Sequence, residues 1–146
     1  MTDTNYRDLV YSPAEASTDF VKYADKLKTQ PGITWGVKSL DAAIVPMHPG
    51  DIVGIIARPG HGKSSVSSYL ARHTAKQIAA DPARSGECVV YVTFEQSVEE
   101  IEAVFESSET VSVSDIAWGR ADIEEVRRGA VQRVGLPVWL MGRGME

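Results

Sequence analysis

The chain has 146 residues, 43% of them hydrophobic and 24% charged, with 15 basic and 20 acidic side chains and a net charge of −5. That length fits about one domain with a core of its own. The composition excludes general disorder, and the charge excludes a protein that coats nucleic acid through a global basic field. Cys88 is the single cysteine, which rules out an internal disulfide framework and a multi-cysteine metal site.

Residues 1–11 carry little pattern and read as a loose arm. Ser12-Pro13-Ala14-Glu15 reads as a helix start, with a capping serine, a proline at the first helical position and a glutamate that closes a capping box. Ala16, Phe20, Tyr23, Ala24 and Leu27 then recur at helical spacing. Pro31-Gly32 ends the helix, and a connector follows with Ile33, Trp35, Val37, Leu40 and Ile44 as expected burial points. After the Pro49-Gly50 turn, Asp51-Ile-Val-Gly-Ile-Ile-Ala57 reads as a strand buried on both faces, which favours a parallel sheet.

A helix is expected over about residues 63–80, a loop at Asp81-Pro82 and Ser85-Gly86, and a second buried strand over Cys88-Val-Val-Tyr-Val-Thr-Phe94. Ser97 and Glu100 form another capping box, opening a helix with Val98, Ile101 and Phe105 on one face. Residues 107–119 are ambiguous. Asp122 to Val134 reads as a helix with Ile123, Val126, Ala130 and Val134 inward, and Pro137 to Met141 as a third strand. Cys88, Trp118 and Trp139 are expected in the core. Alternating strands and helices mean an α/β fold with a mostly parallel sheet flanked by helices. The longest apolar stretches fall short of the ~20 residues of a membrane helix. The N-terminus lacks a basic region followed by an apolar one, so the expected location is cytoplasmic.

The most informative segment is Ala57-Arg58-Pro59-Gly60-His61-Gly62-Lys63-Ser64, followed by Ser65. It matches the phosphate-loop pattern G-x-x-x-x-G-K-[ST], with Ala57 in place of the first glycine. Gly60 and Gly62 let the backbone curl so that successive N–H groups point at phosphate oxygens. Lys63 brings an ammonium to the β- and γ-phosphates, and Ser64 offers a hydroxyl to Mg²⁺. The pattern therefore points to ATP and Mg²⁺, against the plain alternative of a glycine-rich turn. Arg58 either touches nucleotide or pairs with a carboxylate. His61 reads as a bystander, and none of the three histidines has metal-ligand spacing.

Glu95 closes the second expected strand. Carboxyl ends of parallel strands share one edge, where ligands bind. From position alone Glu95 is either the group that orients the attacking water or an ordinary strand-end acid. Arg120, Arg127, Arg128 and Arg133 admit two readings, DNA or neighbour contact and helix-surface pairing. The spacing of Glu124 and Arg128 favours the second.

Gly32-Ile33 through Leu40-Asp41, Pro49-Gly50-Asp51, the loop at 57–64 and Thr93-Phe94-Glu95-Gln96 together resemble the ATPase domain of DnaB-type replicative helicases, in the RecA-like superfamily. That family carries a G-I-x-x-G-x-x-x-L-D opening, a P-G-D turn, an A-R-P-x-x-G-K-[ST] loop and an S-L-E-M strand end. The order and spacing agree over about residues 32–100. Thr93-Phe94 stands for Ser-Leu, Gln96 for Met, and Trp35 occupies a usually smaller position. The resemblance implies that Glu95 and Lys63 are catalytic. It also implies a bacterial or phage-infected host cell, single-stranded DNA as a partner, and a primase or helicase loader as a further one. It makes the 13–28 helix the docking element of a homo-oligomeric, hexameric ring. The expected organisation is an arm and docking helix over 1–30 and a partial RecA-like domain over 31–146. The family's later metal-orienting aspartate, DNA loops and arginine finger have no counterpart here, so the chain reads as the first part of that core. Two other readings stay open: a nucleotide-binding interaction module that does not hydrolyse, and a RecA-like ATPase of a recombinase or clock-type branch.

Overall fold

A computed structural model describes residues 10–106 and 111–143, the Glu106 side chain excepted. The elements in chain order are α1 (Pro13–Thr29), α2 (Lys38–Asp41), α3 (Lys63–Ala80), a 3₁₀ turn (Pro82–Arg84), β1 (Val89–Ser97), α4 (Val98–Glu106), α5 (Val113–Ala117), α6 (Ile123–Val134) and β2 (Val138–Arg143). Of the ambiguous stretch, residues 107–110 lie outside the described residues and Val113–Ala117 is helical.

α1 starts as its sequence dictates. The Glu15 N–H donates to Ser12 Oγ at 3.3 Å, and Glu15 Oε2 accepts the Ser12 N–H at 2.8 Å. Ser97 and Glu100 repeat the arrangement ahead of α4. α1 makes no contact with any other helix or strand among the described residues. The connector behind it is fastened more firmly. Ile33 and Met47 exchange backbone hydrogen bonds of 2.8 Å, and the Arg84 guanidinium donates to the Pro31 carbonyl at 2.8 Å. Thr34 and Gln77 exchange bonds between backbone and amide. The Tyr69 hydroxyl donates to the Gly36 carbonyl at 2.6 Å. The connector is thereby held along α3. Ile33 and Trp35 are half-buried there, while Val37, Leu40 and Ile44 are exposed, contrary to expectation.

β1 and β2 pair in parallel, Val89 opposite Val138 and Val92 opposite Met141. One face of this pair carries the core. Ala71 and Ala75 of α3, Ile101 and Phe105 of α4 and Val138 are buried together. Val89, Tyr91, Leu136 and Leu140 pack against them. Small side chains on α3 let that helix approach the strands closely. The Tyr91 and Phe105 rings meet edge to face, with centroids 5.5 Å apart.

Several expectations are corrected. Residues 51–57 form no strand: Ile52 and Ile56 are each 97% exposed, and no ladder partner exists for the segment among the described residues. Apolarity calls for burial but cannot supply the neighbour that takes a strand's N–H and C=O groups. β1 is covered on one face only, because α3 and α4 both pack on the Val89–Tyr91 side and leave Val90, Val92 and Phe94 exposed. Trp139 lies on that same open face at 68% exposure, Trp118 is 75% exposed after α5, and Cys88 is exposed just before β1. In α6 Glu125, Val126, Gly129 and Arg133 are half-buried, while Ile123, Ala130 and Val134 are exposed. The helix is rotated so that Arg133 reaches Glu102 of α4. The α/β class with a parallel sheet and flanking helices stands.

Candidate functional site

The loop at 57–64 links an extended segment to α3. Gly60 and Gly62 adopt φ of 77° and 75°, the left-handed region that glycine enters without steric cost. Gly62 caps the helix with no side-chain hydrogen bond, and the first turn holds no acidic residue. The backbone N–H groups that open α3 are therefore left to an anion, and the helix end favours negative charge. Lys63 is half-buried, its Nζ donating to the Ala57 and Arg58 carbonyls at 3.2 and 3.3 Å. Among the described residues no carboxylate pairs with it, so a phosphate can take the ammonium without breaking an ion pair. Arg58, Pro59, His61, Ser64 and Ser65 are exposed. His61 Nδ1 lies 3.0 Å from the Pro59 carbonyl, a contact inside the loop.

Direction brings Glu95 toward this loop. Val138, at the start of the strands, shares a cleft with Ile78 near the end of α3. Further along β1, the Tyr91 hydroxyl lies 2.9 Å from Ser67 Oγ, and Ser67 Oγ donates to the Ser64 carbonyl at 3.0 Å. α3 thus runs opposite to β1. Moving from Tyr91 to Glu95 along the strand moves from Ser67 toward Lys63 and Ser64 along the helix. The loop and Glu95 share one edge.

Glu95 does not end its strand, as expected, but sits two residues before the end, inside an irregularity. Val92 faces Met141 and Ser97 faces Arg143, so Thr93, Phe94, Glu95 and Gln96 are opposed by Gly142 alone. Side chains of β1 alternate up to Phe94, with Tyr91 and Thr93 toward the helices. By that alternation Glu95 belongs inward, yet it is exposed. The bulge turns it out.

The arginines of the later helices are paired within the chain. Arg120 meets Asp115 at 3.6 Å, and Arg128 meets Glu125 at 3.6 Å. Arg127 takes Glu124 at 2.7 Å, displacing the expected Glu124–Arg128 pair. Arg133 pairs with Glu102 and lies over the Phe105 ring. Burial pushes the Glu102 carboxyl above its ordinary 4.5, against the opposing pull of Arg133.

Two contributors to this edge escaped sequence reasoning: the Ser67–Tyr91 tie and the Thr93–Gly142 contact. A glycine inside a strand marks a bulge or a close approach, but Gly142 lies just past the expected strand of Pro137 to Met141 and falls inside the observed one. Among the described residues no helix is long and apolar enough to cross a membrane. A search of curated proteins returned no match. The family model for the DnaB-like helicase C-terminal domain matches residues 32–136, a span that takes in the phosphate loop, the bulge with Glu95 and all the core helices. The chain belongs to the DnaB-like helicase C-terminal domain family.

Proposed function

We propose that this chain is the ATP-binding part of a DnaB-like hexameric replicative helicase, which couples ATP hydrolysis to translocation on single-stranded DNA and duplex unwinding. The observation that carries the reading is the loop at 57–64. It has two left-handed glycines, an uncapped helix start and a lysine that, among the described residues, is held by backbone carbonyls alone. This donor set fits Mg-ATP. The N–H groups of Gly60, Gly62, Lys63 and Ser64 would bind phosphate oxygens while that of His61 closes the turn on the Arg58 carbonyl. Lys63 would neutralise charge at the β- and γ-phosphates, and the Ser64 hydroxyl would hold Mg²⁺. Ala57, Arg58, Pro59, His61 and Ser65 complete the loop that shapes the pocket. Bound Mg²⁺ supplies further charge neutralisation on the phosphates. Glu95, on the same edge, aligns a water with the γ-phosphate and accepts its proton. α1, which meets no other helix or strand among the described residues, docks on a neighbouring subunit of the ring. A primase or a helicase loader is the further protein partner in this reading, and the cytoplasm of a bacterial or phage-infected cell is its setting.

Lys63→Ala tests the site. A charge-assisted hydrogen bond contributes ~1.5–3 kcal/mol, so ATP affinity should fall about tenfold or more. Equal affinities for variant and parent in a calorimetric titration would overturn the phosphate-loop reading. Turnover measured with and without single-stranded DNA, on this chain and on an extended form carrying the rest of the core, separates the helicase from a nucleotide-binding module. DNA-stimulated hydrolysis supports the first, and tight binding without turnover supports the second.

A further inference from the structure

We propose that Thr93 and Gly142 are positioning residues for Glu95: the hydroxyl of one and the missing side chain of the other build the bulge that presents the carboxylate to the nucleotide edge. The inference rests on the reading of Glu95 given above and adds two residues to it.

The geometry is specific. Four residues of β1, from Thr93 to Gln96, span what a single residue, Gly142, spans on β2. A loop of excess chain inside a strand needs its backbone groups satisfied locally. Thr93 does this with one atom: its Oγ1 accepts the Gln96 N–H at 3.2 Å and donates to the Gln96 carbonyl at 3.3 Å. Phe94 and Glu95 are the two residues enclosed by that ring, so it sets where Glu95 leaves the chain.

Gly142 makes room for the ring. A Cβ there would lie 2.6 Å from Thr93 Cγ2, 3.3 Å from the Thr93 carbonyl oxygen and 3.5 Å from Val98 Cγ2. The first distance is well inside van der Waals contact. Threonine cannot yield by rotating, because its β-branch carries the methyl and the hydroxyl together. Turning the methyl away withdraws Oγ1 from Gln96. The two positions are therefore coupled. An alanine at 142 is tolerated with the ring intact only if residue 93 loses its methyl and keeps its hydroxyl.

That coupling defines the test, made in the full protein that carries this chain. Steady-state ATP turnover and calorimetric ATP affinity are measured for the parent, Glu95→Gln, Thr93→Val, Thr93→Ser, Gly142→Ala and the double variant Thr93→Ser with Gly142→Ala. Displacing a catalytic group by ~1 Å costs up to 10²-fold. Thr93→Val and Gly142→Ala should each lower kcat by about tenfold or more, with ATP affinity within about twofold of the parent. Thr93→Ser should turn over like the parent. In the double variant, serine should restore most of the turnover lost in Gly142→Ala. A general loss of structure would lower binding and turnover together, so a fall in kcat at unchanged ATP affinity is the outcome that a merely structural role does not give.

If Glu95→Gln abolishes turnover while Thr93→Val and Gly142→Ala keep it, the positioning role is wrong and the reading of Glu95 stands. Should Glu95→Gln turn over at the parent rate, the reading of Glu95 fails and the positioning role with it. If Thr93→Val does not fold, the comparison of Gly142→Ala with the double variant decides the matter, and absence of rescue overturns the proposal.

Discussion

Ser68 shows how a single side chain sits at odds with its surroundings. It faces the core from α3 at 2% exposure, and its Oγ has no hydrogen-bond partner among the described residues. A buried hydroxyl without a partner keeps its desolvation cost and gains nothing in return. Ser68→Ala removes that cost and places the best helix former in mid-helix. The variant should be about 1 kcal/mol more stable, read as a higher urea midpoint at unchanged slope. A lower midpoint would mean that the hydroxyl has a partner after all. Ser67, one position earlier, differs by its direction: its hydroxyl meets Tyr91 and ties α3 to β1. Ser67→Ala should therefore destabilise where Ser68→Ala stabilises, a contrast between neighbours that only their facing decides.

At the level of elements, α6 is held to α4 by an ion pair rather than by an apolar stripe. Arg133 reaches Glu102 and places its guanidinium over the Phe105 ring. Burial raises the Glu102 carboxyl above 4.5, and Arg133 offsets part of that rise. The folded protein therefore holds this proton more tightly than the unfolded chain does. The contribution of Glu102 to stability is full below 4.5 and falls as pH rises through the higher folded-state value. Glu102→Gln removes the titration. The stability of the parent relative to this variant should decline as pH climbs from below 4.5 through the carboxylate range. Parallel pH profiles for the two would show that Glu102 titrates alike in both states.

For the molecule as a whole, the telling feature is how much apolar surface α1 leaves uncovered among the described residues. α1 exposes Phe20, Val21 and Tyr23 and touches no other helix or strand among the described residues, yet its capping box makes it a well-started helix. An amphipathic helix that no helix or strand covers among the described residues fits a groove on another chain. Phe20→Asp combined with Leu27→Asp should shift the protein toward monomer, seen by sedimentation, with an unchanged unfolding transition. Loss of the fold instead of dissociation would assign the helix to its own core.

Elements whose signals are local were legible from residues alone. The capping boxes at Ser12–Glu15 and Ser97–Glu100 fix helix starts within one turn of chain, and each formed as read. The phosphate-loop pattern at 57–64 marked two glycines that adopt left-handed backbone and a helix that begins at Lys63. Of the candidate site, the backbone of the loop was legible in the same way. Lys63 and Ser64 were named from the motif and Glu95 from its position and the family resemblance, and the roles given to them are those proposed above.

What tertiary structure decided is partnership. Residues 51–57 are as apolar as any strand here, yet they have no ladder, because hydrogen bonding between strands requires a neighbour that local sequence does not specify. Val90, Phe94 and Trp139 look like core residues, yet they lie on the open face of the pair, because α3 and α4 both settled on the other one. α6 turned Arg133 inward and Val134 outward, because Glu102 awaited it on α4. The placement of Glu95 belongs to this second kind. Its identity was written in the chain, but its outward turn follows from four residues of one strand opposed by a single glycine of another. Two segments separated by more than forty positions meet there only when the fold is complete.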